Sequence, residues 1–156
     1  MMRAMDDPGQ KTEHFIVVGV DGSEPSLKAL GWAAQQARLT GAKLRVVTTW
    51  ELSTGTGWVP TFPVDYDPEA LARQALDEAI TATLGADPDI VVERVVKEGH
   101  AAPVLLAAAR DADLLVVGSH GHGAFTGMLI GSVSEHLVRH APCAVVVVHY
   151  EKHAHH

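Results

Sequence analysis

An open parallel α/β sheet wrapped by helices on both faces is the fold class that this sequence predicts, and three observations carry it. Five short apolar runs alternate with four segments of helical period along the 156 residues, the pattern of a parallel sheet whose crossovers are helices. Right-handed crossovers make such a sheet doubly wound. The fourth apolar run leads into Gly118-Ser119-His120-Gly121, and after nine further residues Gly131-Ser132 opens the last helical pattern. Strand, glycine-rich loop and helix in that order bring free backbone N–H groups to a helix N-terminus, where anions are held.

Taken in order, Phe15–Val20 is the first predicted strand, ending in Asp21-Gly22-Ser23. Leu27, Leu30, Ala34 and Ala37 then recur at helical spacing. Ser23 suits the cap of that helix, Pro25 its first turn and Gly41 its end. Leu44–Trp50 reads as the second strand. Residues 51–66 hold Gly55, Gly57, Pro60 and Pro63 without a period and read as a loop. Pro68–Leu84 restarts a helix, with Leu76, Ile80 and Leu84 on one stripe. Ile90–Val96 is the third strand, and His100–Arg110 the third helix, where Pro103 is tolerable only in the first turn. Asp113–Gly118, Gly131–His140 and Ala144–His149 complete the pattern as strand, helix and strand. No internal repeat or second domain interrupts it.

Composition narrows the class of function. Apolar residues make up 47% and charged residues 20% of the chain, an ordinary globular balance for one domain. No apolar run approaches the roughly 18 residues of a membrane span, so no membrane partner is expected. The opening MMRAMDDPGQKTEH lacks the apolar core of a signal peptide, which predicts a cytoplasmic protein. The domain is expected over 14–149, flanked by a disordered segment 1–13 and a His-rich tail 150–156. Cys143 is the single cysteine; it excludes an internal disulfide and reads as a small buried residue. A net charge of −7 argues against nucleic-acid binding, which needs clustered Lys and Arg. Protonating all ten histidines would bring the charge to +3, which opens a route to acid-dependent self-association without requiring one.

The glycine element is too regular for chance. At an average glycine usage of about 7%, its four fixed positions should recur in a chain this long less than about one time in a hundred. Gly118 and Gly121 are expected to let the backbone turn sharply and approach a ligand, and Gly131 to do the same before the last helix. Ser132 begins S-x-x-E with Glu135, so it either caps the helix or offers its hydroxyl and the following N–H groups to a phosphate. The two earlier glycines favour phosphate. In open α/β sheets ligands sit beyond the carboxyl ends of the strands, where the strand order reverses. If the first and fourth strands are neighbours there, Asp21 and the glycine loop face one crevice. Alone, Asp21 would read as a brace for its own turn.

Equally informative is what the motif lacks. From Asp111 through Val138 there is no Lys or Arg, whereas a Walker-type site places a Lys directly after its last glycine. Nothing evident would stabilise charge on a transferring phosphoryl group. Binding with slow or absent hydrolysis is therefore expected, the alternative being a slow ATPase or a self-phosphorylating protein with Ser132 or Ser134 as acceptor. His120 and His122 form an H-x-H, and His149, His153, His155 and His156 crowd the C-terminus. No carboxylate or cysteine accompanies them at ligand spacing, so a solvated tail is the plainer reading. Mg or Mn accompanying a nucleotide is the metal expected. Trp58, Phe62 and Tyr66 in the long loop suit either a solvated connection or a flap and docking patch.

Three stretches, VVGVDGS (Val17–Ser23), DADLLVVGSHGHG (Asp111–Gly123) and LIGSVSEHLVRHAPCAVVVV (Leu129–Val148), resemble the universal stress protein family. The resemblance runs from Phe15 to Val148. It implies an adenine nucleotide alpha hydrolase-like sheet of strand order 3-2-1-4-5 and binding of ATP, AMP or cyclic AMP. By the same resemblance Asp21 would meet the ribose or a phosphate-bound metal, with Gly19 and Val20 beside it. Thr49 would give backbone hydrogen bonds to the adenine, and Val117 would pack near the sugar. Gly118, Gly121 and His122 would border the phosphates, and Gly131, Ser132, Val133 and Ser134 would close around them. The family also implies a stress-response regulator, whose nucleotide-biased loops a protein partner would read. A homodimer through strand 144–149 is implied as well, whose valine run would lie at the sheet edge.

Overall fold

The structure is a computed structural model and describes residues 12–52, 64–121 and 130–149. Five parallel strands, β1 (Phe15–Gly19), β2 (Lys43–Trp50), β3 (Val92–Glu98), β4 (Leu114–Gly118) and β5 (Ala144–Val148), form one sheet in the order β3-β2-β1-β4-β5. Four helices separate them: α1 (Glu24–Thr40), α2 (Pro68–Leu84), α3 (Ala101–Ala108) and α4 (Ser132–His140). The chain winds from β1 outward to β3, then returns to pair β4 with the other side of β1, Val17 opposite Leu115. That return makes the gap between β1 and β4 the switch point.

Local chemistry fixes the helix ends. Ser23 Oγ accepts from Ser26 N at the start of α1, and Gly41 ends the helix at φ 76°, the left-handed region that glycine enters most cheaply. Asp67 caps α2 by accepting from Ala70 N at 3.0 Å, with Pro68 in the first turn. Ala29, Ala33, Ala34 and Ala37 give α1 a smooth buried stripe that seats against the sheet.

The sheet has a core on each face. On one, Ile16, Val18, Leu44 and Val46 pack under α1 and α2 with Leu30, Leu76 and Ile80. On the other, Val17, Val47, Leu115 and Val117 pack under α3 and α4 with Leu105 and Leu137. Alternate residues of one strand thus serve opposite cores, as the two-residue period of a strand requires.

Most element ends agree with the sequence reading to within one residue, and two elements and one side chain depart further. β3 runs Val92–Glu98 rather than 90–96, because its pairing with β2 continues to Trp50 opposite Glu98. Its final charged residues fit there because β3 is an edge strand. α3 is shorter than 100–110: His100 is its N-cap and Ala109 its C-cap. Cys143 is only half-buried, packed at the margin of the α3–α4 core, since it precedes an edge strand with cover on one side.

Candidate functional site

At the carboxyl ends of β1 and β4 a cleft of about 340 Å³ opens. β1 and its continuation supply Gly19, Val20 and Asp21; β2 supplies Val47 and Thr49. β4 and the following turn supply Val117, Gly118, His120 and Gly121, and the start of α4 supplies Gly131, Ser132, Val133 and Ser134. Ala101 and Leu105 of α3 and Ser26 of α1 complete the wall. Every residue assigned to the nucleotide from the sequence lines this cleft except His122, which falls outside the described residues. Trp58 and Phe62 also fall outside them, and Tyr66 is exposed.

Asp21 is held from both sides. Its Oδ1 accepts from Ser23 N at 3.0 Å and from Ser23 Oγ at 2.5 Å, while Ser26 Oγ lies 3.3 Å from Asp21 N. The turn-bracing role considered for Asp21 is therefore present. Its other oxygen, Oδ2, faces the glycine loop: a Cβ built on Gly121 would stand 2.6 Å from it. No backbone freedom explains this glycine, because Gly121 and Gly118 both lie outside the positive-φ region. The expected sharp turn is thus replaced by a need for space. At Gly118 that space is taken not by a ligand but by α1, whose Pro25 backbone carbon would be 2.7 Å from the added Cβ.

The start of α4 removes the capping-box alternative for Ser132. Ser132 is the first helical residue, one place too late to cap, and Gly131 is the N-cap. Among the described residues no side chain caps the helix, and Glu135 instead accepts from Arg139 at 3.0 Å. The first-turn N–H groups, which have no partner within an α-helix, therefore open toward the cleft with no described side chain capping them. Ser134 is buried, and its Oγ donates to the Gly118 carbonyl at 2.6 Å. Gly131 N donates to Ser119 O at 2.6 Å. These two bonds pin the helix start to the end of β4, leaving Ser132 as the exposed hydroxyl.

Four lining residues were not singled out from the sequence, Ser26, Val47, Ala101 and Leu105, and His120 was weighed there only as part of an H-x-H. Val47 was within reach, since it shares the face of Thr49 two residues along β2. Leu105 enters because Gly19 lets α3 sit close; a Cβ there would lie 2.9 Å from Leu105 Cδ1. His120 is oriented by a 3.1 Å contact between its Nδ1 and Ser119 Oγ. Among the described lining residues Asp21 is the only carboxylate, and there is no Lys or Arg. A larger depression, about 860 Å³, runs along α2 from Asp67 to Ala82, but among the described residues it is an open helix surface with no element facing it.

Fold and cleft together define a doubly wound α/β domain with a cleft at its switch point and a helix N-terminus opening into it. The model of the universal stress protein family matches residues 14–149, and the chain belongs to that family. It is 34% identical over 147 residues to Universal stress protein Rv2624c of Mycobacterium tuberculosis, covering 92% of this chain and 51% of that one. A universal stress protein of Mycolicibacterium smegmatis is 37% identical over 134 residues, covering 85% and 45%. The chain thus spans about half the length of these curated relatives. A solved universal stress protein in complex with cAMP is 30% identical, with TM-score 0.59, over 87% of this chain and 96% of that one. UspA from Lactobacillus plantarum shares the fold at TM-score 0.66 and 20% identity, over 89% and 99% of the two chains.

Proposed function

We propose that the cleft binds an adenine nucleotide, ATP, AMP or cyclic AMP, and that the protein is a nucleotide-responsive regulator rather than an efficient catalyst. The uncapped first turn of α4, opening between Asp21 and the G-x2-G loop, carries this reading. The N–H groups of Ser132, Val133 and Ser134 and the Ser132 hydroxyl suit phosphate oxygens. Val47, Thr49, Ala101 and Leu105 suit the base and sugar, in a cleft at the small end of the roughly 300–1,000 Å³ range of ligand sites. The cAMP complex of a relative 30% identical to this chain supports the same ligand class.

A nucleotide-borne Mg or Mn fits this donor set. Such ions take one or two carboxylates plus phosphate oxygens and water, and Asp21 Oδ2 stands on the loop side of the cleft. The ion would neutralise phosphate charge that no described Lys or Arg offsets. The lack of a basic residue also argues for turnover well below about 1 per second. Self-phosphorylation would fall to Ser132, since Ser134 Oγ is buried against Gly118 O.

Mass spectrometry of the nucleotide released on denaturation, followed by calorimetric titration with ATP, AMP and cyclic AMP in the presence of Mg, tests the proposal. One adenine nucleotide per chain, released or bound, is expected. No release and no heat or thermal shift with any of the three would overturn it. Phosphate release or Ser132 labelling in a single turnover would move the function to the slow-enzyme alternative.

For the assembled state we propose a homodimer through the β5 edge. Its half-buried valines carry no charge, and Val138 on the neighbouring α4 is 53% exposed.

A further inference from the structure

The outer face of α4 carries His136 and His140, both exposed and one helical turn apart. Side chains four residues apart on a helix stand over one another, and here the ring centroids are 4.5 Å apart with the planes tilted by 42°. Two imidazoles so placed can each direct a nitrogen at one point outside the helix. The helix supplies this preorganisation; in the unfolded chain the two rings are independent. His140 also lies in the last turn, where the partial negative charge of the helix end favours a cation. The nearest oppositely charged groups on the same helix, Glu135 and Arg139, are paired with each other at 3.0 Å.

We propose that His136 and His140 form a bidentate site for a divalent transition ion of the Zn, Cu or Ni class. Imidazole nitrogen suits these ions, whereas Mg and Ca prefer oxygen. Among the described residues no group of three potential ligands occurs, so water fills the remaining positions and the site is open and exchangeable. It is separate from the cleft, which uses only the first turn of α4. The nucleotide proposal can fail without affecting it.

Thermal unfolding of the full chain with ZnCl2 at about pH 8, where imidazole is neutral, tests the site. An ion bound only by the native helix raises the melting temperature with the logarithm of its concentration. His136→Gln and His140→Gln are each expected to abolish that rise and to weaken Zn binding at least about tenfold, through loss of the second tethered ligand. Replacing His153, His155 and His156 together by Gln should leave the rise intact. A rise unchanged in both helix variants, or lost in the tail variant, would overturn the site. Wild-type NMR gives a readout independent of any variant. Substoichiometric Cu(II) should broaden the ring signals of His136 and His140 together, and broadening confined to other histidines would refute the assignment.

Discussion

A methyl group added at Gly121 and one added at Gly118 meet different kinds of atom. At Gly121 the obstacle is the end of a side chain, Asp21 Oδ2 at 2.6 Å. The carboxylate can turn away because it is the end of a side chain, but doing so strains its two bonds from Ser23 and takes Oδ2 out of the cleft geometry. Gly121→Ala is therefore expected to weaken nucleotide binding about tenfold, or about 1.4 kcal/mol, with a smaller loss of stability than Gly118→Ala; calorimetric titration measures it. At Gly118 the obstacle is the Pro25 backbone, with its carbonyl carbon at 2.7 Å and oxygen at 2.8 Å. Gly118→Ala must push α1 off β4, and overpacking of this kind costs about 1–3 kcal/mol, readable by urea denaturation. The motif alone treats the two glycines as equivalent. Their surroundings separate them, because Pro25 and Asp21 arrive from α1 and the loop after β1, about a hundred residues earlier in the chain.

At the scale of elements, charged side chains tie the periphery of the sheet. Arg45 on β2 donates to Asp111 at 2.7 Å, to the Ala108 carbonyl at 2.8 Å and to Glu93 at 3.2 Å, with its guanidinium 4.2 Å from the Phe15 ring centroid. The Asp111 hydrogen bond raises its already high pKa, so it stays charged while joining β2, β3 and the turn after α3. Arg38 near the end of α1 donates to Asp89 before β3 at 2.7 Å and holds that carboxyl below its ordinary value. A carboxyl depressed in the folded state contributes stability above its unfolded pKa and loses it as pH falls through the lower folded value. The melting-temperature difference between wild type and Asp89→Asn is therefore expected to be small and constant near neutrality. It should shrink as pH falls below the ordinary Asp value of about 3.9. A thermal-melt series in pH checks it, and a difference that grows on acidification would contradict the assignment. Element identity was legible from period and caps in all nine cases. Element ends were less so, because the extent of β3 depends on its partner β2 and that of α3 on where packing stops.

The two edges of the whole molecule are unlike. β3 carries Glu93, Arg94, Lys97 and Glu98, charges that discourage pairing with another chain. β5 is Ala144-Val145-Val146-Val147-Val148, with four half-buried valines and no charge. Sedimentation at micromolar concentration is expected to give a dimer, and a monomer there would remove the β5 interface. Among the described residues no helix is long and apolar enough to cross a membrane.

From the sequence alone came the alternation of elements, the switch-point crevice as a conditional and the glycine element that marks it. These are written in local period and spacing, which neighbouring residues impose on one another. The family resemblance already implied that β1 and β4 are neighbours, and the sheet order bears it out; only the tertiary structure decided that Ser132 sits inside α4 rather than capping it and that Gly118 makes room for α1. The same holds for His120, Leu105 and Ser26 on the cleft wall and for the three-way contacts of Arg45. Each depends on which atoms the fold brings within a few ångströms across long stretches of chain, and no local pattern encodes that distance.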